Sequence, residues 1–155
     1  AMTLHWPWTE QTPPFRVVPA AEVEAALRAF LVARWLGAAH NVAMRIDLPL
    51  NDSEYLLMTR TQLDAYLRSC PHVEYVIERN DCDDACYRFL ARLTEKWGCN
   101  GAGKVKDTGT AHYYIIIPLD NQAGGIDVEL AEPQVAQVVE PDEGLYQCRV
   151  GMLEI

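Results

Sequence analysis

Positive charge and long apolar runs are both scarce in this chain, and each shortage excludes a class of function. Of its 155 residues only 13 are Lys or Arg, against 22 Asp or Glu, for a formal net charge of −9. No basic stripe and no lysine cluster interleaved with aromatics is present, so a nucleic-acid partner is not expected. No stretch reaches the roughly 18 uninterrupted apolar residues of a membrane helix. The longest candidate, Val23 to Ala39, is broken by Glu24, Arg28 and Arg34, and no membrane partner is expected either. The first residues lack the charged region and apolar run of a signal peptide, and Ala1 ahead of Met2 is set aside as an added residue. Cysteine is present but odd in number: Cys70, Cys82, Cys86, Cys99 and Cys148 are irregularly spaced, unlike a secreted disulfide framework. The expected setting is a reducing, cytoplasmic one.

Half of the residues are apolar, enough for one sizeable core and a single domain over 1–155. Residues 1–19 form a segment rich in Pro and Trp, including Trp6, Pro7, Trp8, Pro13, Pro14 and Phe15, which excludes a helix there. From Ala20 or Ala21 to about Gly37, the spacing of Val23, Ala26, Leu27, Phe30, Leu31 and Trp35 predicts an amphipathic helix ended by glycine. Val42 to Leu48 alternates as a half-buried strand, and Glu54 to Met58 is a short second one. Thr61 reads as the N-cap of a helix carrying Leu63, Tyr66 and Leu67. Asn100-Gly101-Ala102-Gly103-Lys104 lacks the spacing of a phosphate-binding loop and reads as a flexible connector. The strongest β signal, His112 to Ile117, is closed by Pro118 and returns as Ile126 to Leu130; strands around 135–139 and 146–153 follow. Helices first and antiparallel strands last make an α+β arrangement.

The chemistry gathers at Arg79-Asn80-Asp81-Cys82-Asp83-Asp84-Ala85-Cys86, followed by a helical pattern through Tyr87, Phe89, Leu90, Leu93 and Trp97. Cys82 thus sits at a helix N-terminus, where unpaired N–H groups and the helix dipole favour an anion and lower a thiol's pKa. The bland alternative is a small buried cysteine at an acid-capped helix start. The aspartates oppose a thiolate, because neighbouring negative charge raises a thiol's pKa. A Ca²⁺ ion held by Asp81, Asp83 and Asp84 would neutralise them, with solvent screening as the alternative.

If the His112 strand pairs with the Ile126 strand so that opposed positions sum to about 243, His112 falls across from Ala131 and within one position of Glu132. Thiol, imidazole and carboxylate in this order are the elements of cysteine-nucleophile catalysis: the base takes the thiol proton and the third group fixes its tautomer. Glu129 competes for the third role but lies opposite Tyr114 in that register, which favours Glu132.

The motifs Asp81-Cys82-Asp83-Asp84, Ala111-His112 at a strand head, and Glu132-Pro133-Gln134 resemble the papain-like cysteine-protease domain of the fairy-ring mushroom agglutinin family, and related domains of phages and bacteria. The resemblance runs from about Tyr75 to Gln134. It implies a papain-like α+β fold, with a nucleophile-bearing helix packed on a C-terminal antiparallel sheet and a catalytic core over 72–155. It further implies calcium-dependent cleavage of a protein or peptide substrate, with Cys82 as nucleophile, His112 as base, Glu132 as orienting carboxylate and Gln134 as a polar neighbour. The resemblance does not extend to the lectin domain that accompanies this unit in the mushroom proteins, and sugar recognition is not expected of these 155 residues. Deamidase or transglutaminase chemistry would use the same residues. Tyr75 would line the site or belong to the core. Two readings of other classes remain: a structural zinc held by Cys82, Cys86, Cys99 and His112, and a catalytically silent binding or assembly module.

Overall fold

The computed structural model describes residues 15–37, 52–72, 74–77, 81–107, 109–141, 143–146 and 150–154. The strand expected over 42–48, and Trp6, Trp8, His5, His40 and Cys148, lie outside them.

The elements run β1 (Arg16–Pro19), α1 (Ala20–Gly37), β2 (Glu54–Leu57), α2 (Arg60–Ser69), α3 (Cys82–Trp97), β3 (Gly103–Asp107), β4 (His112–Asp120), β5 (Ile126–Glu132), β6 (Gln137–Val139) and β7 (Val150–Glu154). β1 and β2 form a two-stranded antiparallel sheet, and the rest form a five-stranded sheet ordered β6-β5-β4-β3-β7. The fold is α+β, as the element order predicted. Among the described residues no helix is long and apolar enough to cross a membrane.

Alternation along β4 separates two cores, because successive side chains point to opposite faces of a sheet. Tyr114 and Ile116 join Leu130, Val105, the β1–β2 residues Val18, Tyr55 and Leu57, and the α1 stripe Val23, Leu27 and Leu31. Ile115, Ile117 and Leu119 join Ala131 and the α2 and α3 residues Leu63, Tyr66, Cys86, Phe89 and Leu93. A fully buried Leu or Ile in either layer contributes about 1.5–3 kcal/mol. Phe15 packs against the second core, so the start of the described chain lies across a core built by later segments. Arg16 fastens the small sheet to the large one. Its guanidinium donates to Asp120 Oδ1 (3.2 Å) and to the carbonyls of Gly125 and Gly124 (3.0 Å each).

Four local expectations change. α2 is capped by Thr59, not Thr61. The Thr59 side chain accepts from the Gln62 N–H and the Gln62 side chain accepts from the Thr59 N–H, a reciprocal capping box that the later threonine lacks the geometry to make. Gly103–Asp107 is a strand, hidden in the sequence by its alternating lysines. The Asn100-Gly101 segment is pinned, not flexible: Asn100 Oδ1 accepts from the Leu56 N–H (2.9 Å), and its Nδ2 donates to Asp52 Oδ2 (2.7 Å). β4 passes through Pro118 and ends at Asp120. The Asp120 N–H points away from β5, to the Met58 carbonyl at 2.9 Å. By the two-residue period Pro118 faces the same side, past the end of β3 at Gly103↔Ile116, so its missing N–H removes no ladder bond.

A Cβ on Gly101 would meet the Leu56 carbonyl oxygen and Leu57 Cδ2, each at 2.9 Å. Gly101→Ala is expected to destabilise the fold by roughly 1–3 kcal/mol, read as a lower urea midpoint with an unchanged slope.

Candidate active site

Helix α3 begins at Cys82, with Asp81 as N-cap in extended conformation. Asp81 makes no side-chain cap hydrogen bond, so the N–H groups of the first turn are not closed off by its carboxylate. Burial of Ala85, Cys86, Phe89 and Leu93 lays the helix on the sheet, and Gly98 ends it in the left-handed conformation at φ 64°. Cys82 is half-buried with a free thiol, and its sulfur makes no hydrogen bond to His112 among the described residues.

The β4–β5 register differs from the expected one. Ile115 pairs with Ala131 and Asp120 with Ile126, because β4 continues three residues further before turning. Opposed positions therefore sum to 246, and Glu129 lies across from Ile117 instead of Tyr114. There Glu129 Oε1 accepts from Arg60 Nη1 at 2.7 Å, which commits it to a surface ion pair. The slip carries the end of β5 diagonally past His112. His112 Nε2 lies 2.7 Å from Glu132 Oε2, and both residues are buried. A carboxylate oxygen only accepts, so Nε2 donates and Nδ1 keeps the available lone pair.

Three donors hold that carboxylate. Besides His112, the Tyr146 hydroxyl donates to Oε2 at 3.1 Å and the Gln134 backbone N–H donates to Oε1 at 3.2 Å. The Tyr146 ring also meets the His112 ring edge-on, with centroids 5.8 Å apart. Beside them Asp107, fully buried, accepts from the Tyr114 hydroxyl (3.2 Å) and the Gly109 N–H (2.8 Å). Ala111, immediately before His112, is in the left-handed region at φ 54°, a conformation that costs an ordinary residue roughly 1–2 kcal/mol. This bend sets the entry of the histidine onto its strand.

The carboxylates of Asp81, Asp83 and Asp84 gather so that one oxygen from each lies within 4.8 Å of the others. The Asp83 carboxyl is held above the ordinary range, first by its hydrogen bond with Asp81, then by desolvation and by the Asp81 charge; the Asp84 backbone opposes this. Crowded hard oxygen donors of this kind fit a calcium ion better than zinc. The zinc set does not form. Among the described residues only these aspartates gather as metal-ligand atoms, and Cys82 and Cys99 flank a 16-residue helix about 24 Å long. Cys99 instead donates to the Leu56 carbonyl at 3.0 Å, and burial pushes its thiol up to about 11.

Cys86, one turn beyond Cys82, is fully buried. Its thiol is pushed well up, first by burial and then by the charge of Glu132. Cys86 packs in the same buried cluster as Ala131, the residue before Glu132, so the first turn of α3 lies over the sheet end that carries the His–Glu pair. Tyr75 is 55% exposed and does not belong to the core; His72 is exposed as well.

Sequence reasoning missed Tyr146, Tyr114 and Asp107. Asp107-x-Gly109 carried a signal, an aspartate whose oxygen accepts from the N–H two residues on. Tyr146 carried none, because a returning loop delivers it.

No family profile and no curated protein matches the chain. A solved structure described as a PSL1a–E64 complex is similar to it, at 21% identity over 90% of this chain with a TM-score of 0.60. The two share the fold, and this chain spans 50% of the length of that one.

Cys86 and Tyr146 both keep their protons above their ordinary values of 9.0 and 10.0, Tyr146 through burial and the Glu132 charge. The folded chain therefore retains protons that the unfolded chain releases. This contribution to stability is complete below about pH 9 and declines as pH rises through the alkaline range. The urea midpoint should be lower at about pH 10 than at about pH 7.5, with a smaller drop in Cys86→Ala.

Proposed function

We propose that the protein is a cysteine peptidase, or a related thiol acyl-transfer hydrolase, of papain-like type. The observation that carries this reading is the buried 2.7 Å His112–Glu132 hydrogen bond at the sheet end on which the first turn of α3 packs through Cys86 and Ala131. That bond leaves Nδ1 as the base. The solved neighbour is a complex with E64, which also favours a thiol site. The odd, irregularly spaced cysteines fit a reducing, cytoplasmic setting.

In the proposed mechanism His112 Nδ1 takes the Cys82 thiol proton, and the thiolate attacks the carbonyl carbon of a peptide bond. Glu132 holds the imidazolium through Nε2–H, and Tyr146 and the Gln134 N–H keep that carboxylate from turning. N–H groups of the first turn of α3 stabilise the oxyanion. The intermediate collapses as the imidazolium gives its proton to the leaving amine. Water, deprotonated by the same nitrogen, then releases the acid and restores the thiol. Asp81, Asp83 and Asp84 would hold calcium, whose charge offsets theirs beside the thiolate.

The test is labelling by a thiol-directed electrophile such as E64, followed by mass spectrometry. Modification should concentrate on Cys82, disappear in Cys82→Ala, slow by about 10²-fold or more in His112→Ala, and weaken when a chelator removes calcium. Equal labelling of Cys70 and Cys82, unchanged in His112→Ala, would instead favour a silent binding module.

A further inference from the structure

One flank of α3 borders a small pocket of about 50 Å³. Ala85, Phe89 and Pro133 form its buried lining, and Cys70, Arg88 and Arg92 its more open side. Charge is the first sign of a ligand. In a chain of net charge −9, Arg88 and Arg92 stand one helical turn apart and Lys96 follows a turn later, a like-charge spacing that weakens a helix by itself. Arg92 has no ion-pair partner among the described residues. Arg92 lines the same pocket as Cys70; the Cys70 thiol is raised by burial, and its hydrogen bond with Tyr66, then the charges of Arg92 and Lys96, oppose that rise.

Position is the second sign. Pro133 directly follows Glu132, and Cys82, Ala85, Phe89 and Arg92 follow one another at helical spacing along one side of α3. Ala85 lies about 4.5 Å and Arg92 about 15 Å along the axis from Cys82. An extended peptide advances about 3.3 Å per residue, so a side chain in the pocket would belong to a residue about one to five positions from the bond at Cys82.

We propose that this pocket is a specificity subsite for an acidic side chain, an Asp or Glu of a peptide substrate whose carboxylate pairs with Arg92 and Arg88. The inference rests on the peptidase reading and names its substrate class. A planar guanidinium matches a carboxylate with two parallel hydrogen bonds, while Phe89 and Pro133 cover the methylene groups. A nucleic-acid phosphate fits worse, because the chain as a whole repels a polyanion and the pocket admits only one small group.

The test uses acetylated, amidated hexapeptides of Ala and Gly carrying one Glu at successive positions, with Gln counterparts. Binding to the 155-residue Cys82→Ala chain is read by calorimetry, independent of turnover. At the best position Glu should bind about tenfold or more tighter than Gln. That ratio should fall towards one in Cys82→Ala/Arg92→Ala and recover in part in Cys82→Ala/Arg92→Lys, with circular dichroism verifying the fold of each. Equal binding of Glu and Gln peptides, or a preference untouched by both Arg92→Ala and Arg88→Ala, overturns the subsite. Wild-type turnover separates the two readings. Cleavage without Glu preference leaves a peptidase with no such pocket, whereas Arg92-dependent Glu binding without cleavage leaves the pocket and removes the peptidase.

Discussion

The ladder between β4 and β5 is the constraint on which the site depends. Six consecutive pairs, from Ile115↔Ala131 to Asp120↔Ile126, fix where β5 ends relative to the start of β4. A shift of one residue would turn Ile115 and Ala131 out of the α3 core and bring polar neighbours in, so the apolar faces lock the register. Glu132 is then the last residue of its strand, within hydrogen-bonding distance of His112. The His–Glu pair is thus a by-product of packing, held by the burial of isoleucines that lie outside it.

Around that pair the protein resolves a conflict between burial and charge. A buried carboxylate is costly unless its oxygens are satisfied, and Glu132 meets this with an imidazole, a phenol and a backbone N–H. Asp107 does the same with Tyr114 and Gly109. The three aspartates at the start of α3 are handled otherwise: they stay half-buried and crowd one another. Lys104, almost fully buried, lies under the Tyr87 ring at 3.8 Å from its centroid, so the aromatic face helps support a cation inside an acidic molecule.

Much of this was legible in the residue pattern. The apolar spacing of Val23, Leu27 and Leu31 marked α1, and Cys82 to Trp97 marked α3, because amphipathic helices repeat over many residues. His112 and Glu132 come together at the same sheet end in either register. The observed register differs by three because Pro118, which by sequence marks a strand end, occupies a position needing no N–H and leaves β4 to run on to Asp120. β1 and β3 were missed because four or five residues carry too few periods to read, and their pairing partners lie far along the chain. Tyr146 and the arginine-lined pocket depend on tertiary return of distant segments, which local spacing does not encode.

Pro118 has a consequence beyond register. Where β3 stops, β4 would offer an exposed row of main-chain donors, the template on which sheets of separate molecules join. A proline facing that gap removes one donor, and the Met58 carbonyl occupies the next at Asp120. The most apolar strand of the protein is thereby closed to recruitment of a foreign strand, so that same stretch resists the aggregation its composition would otherwise invite.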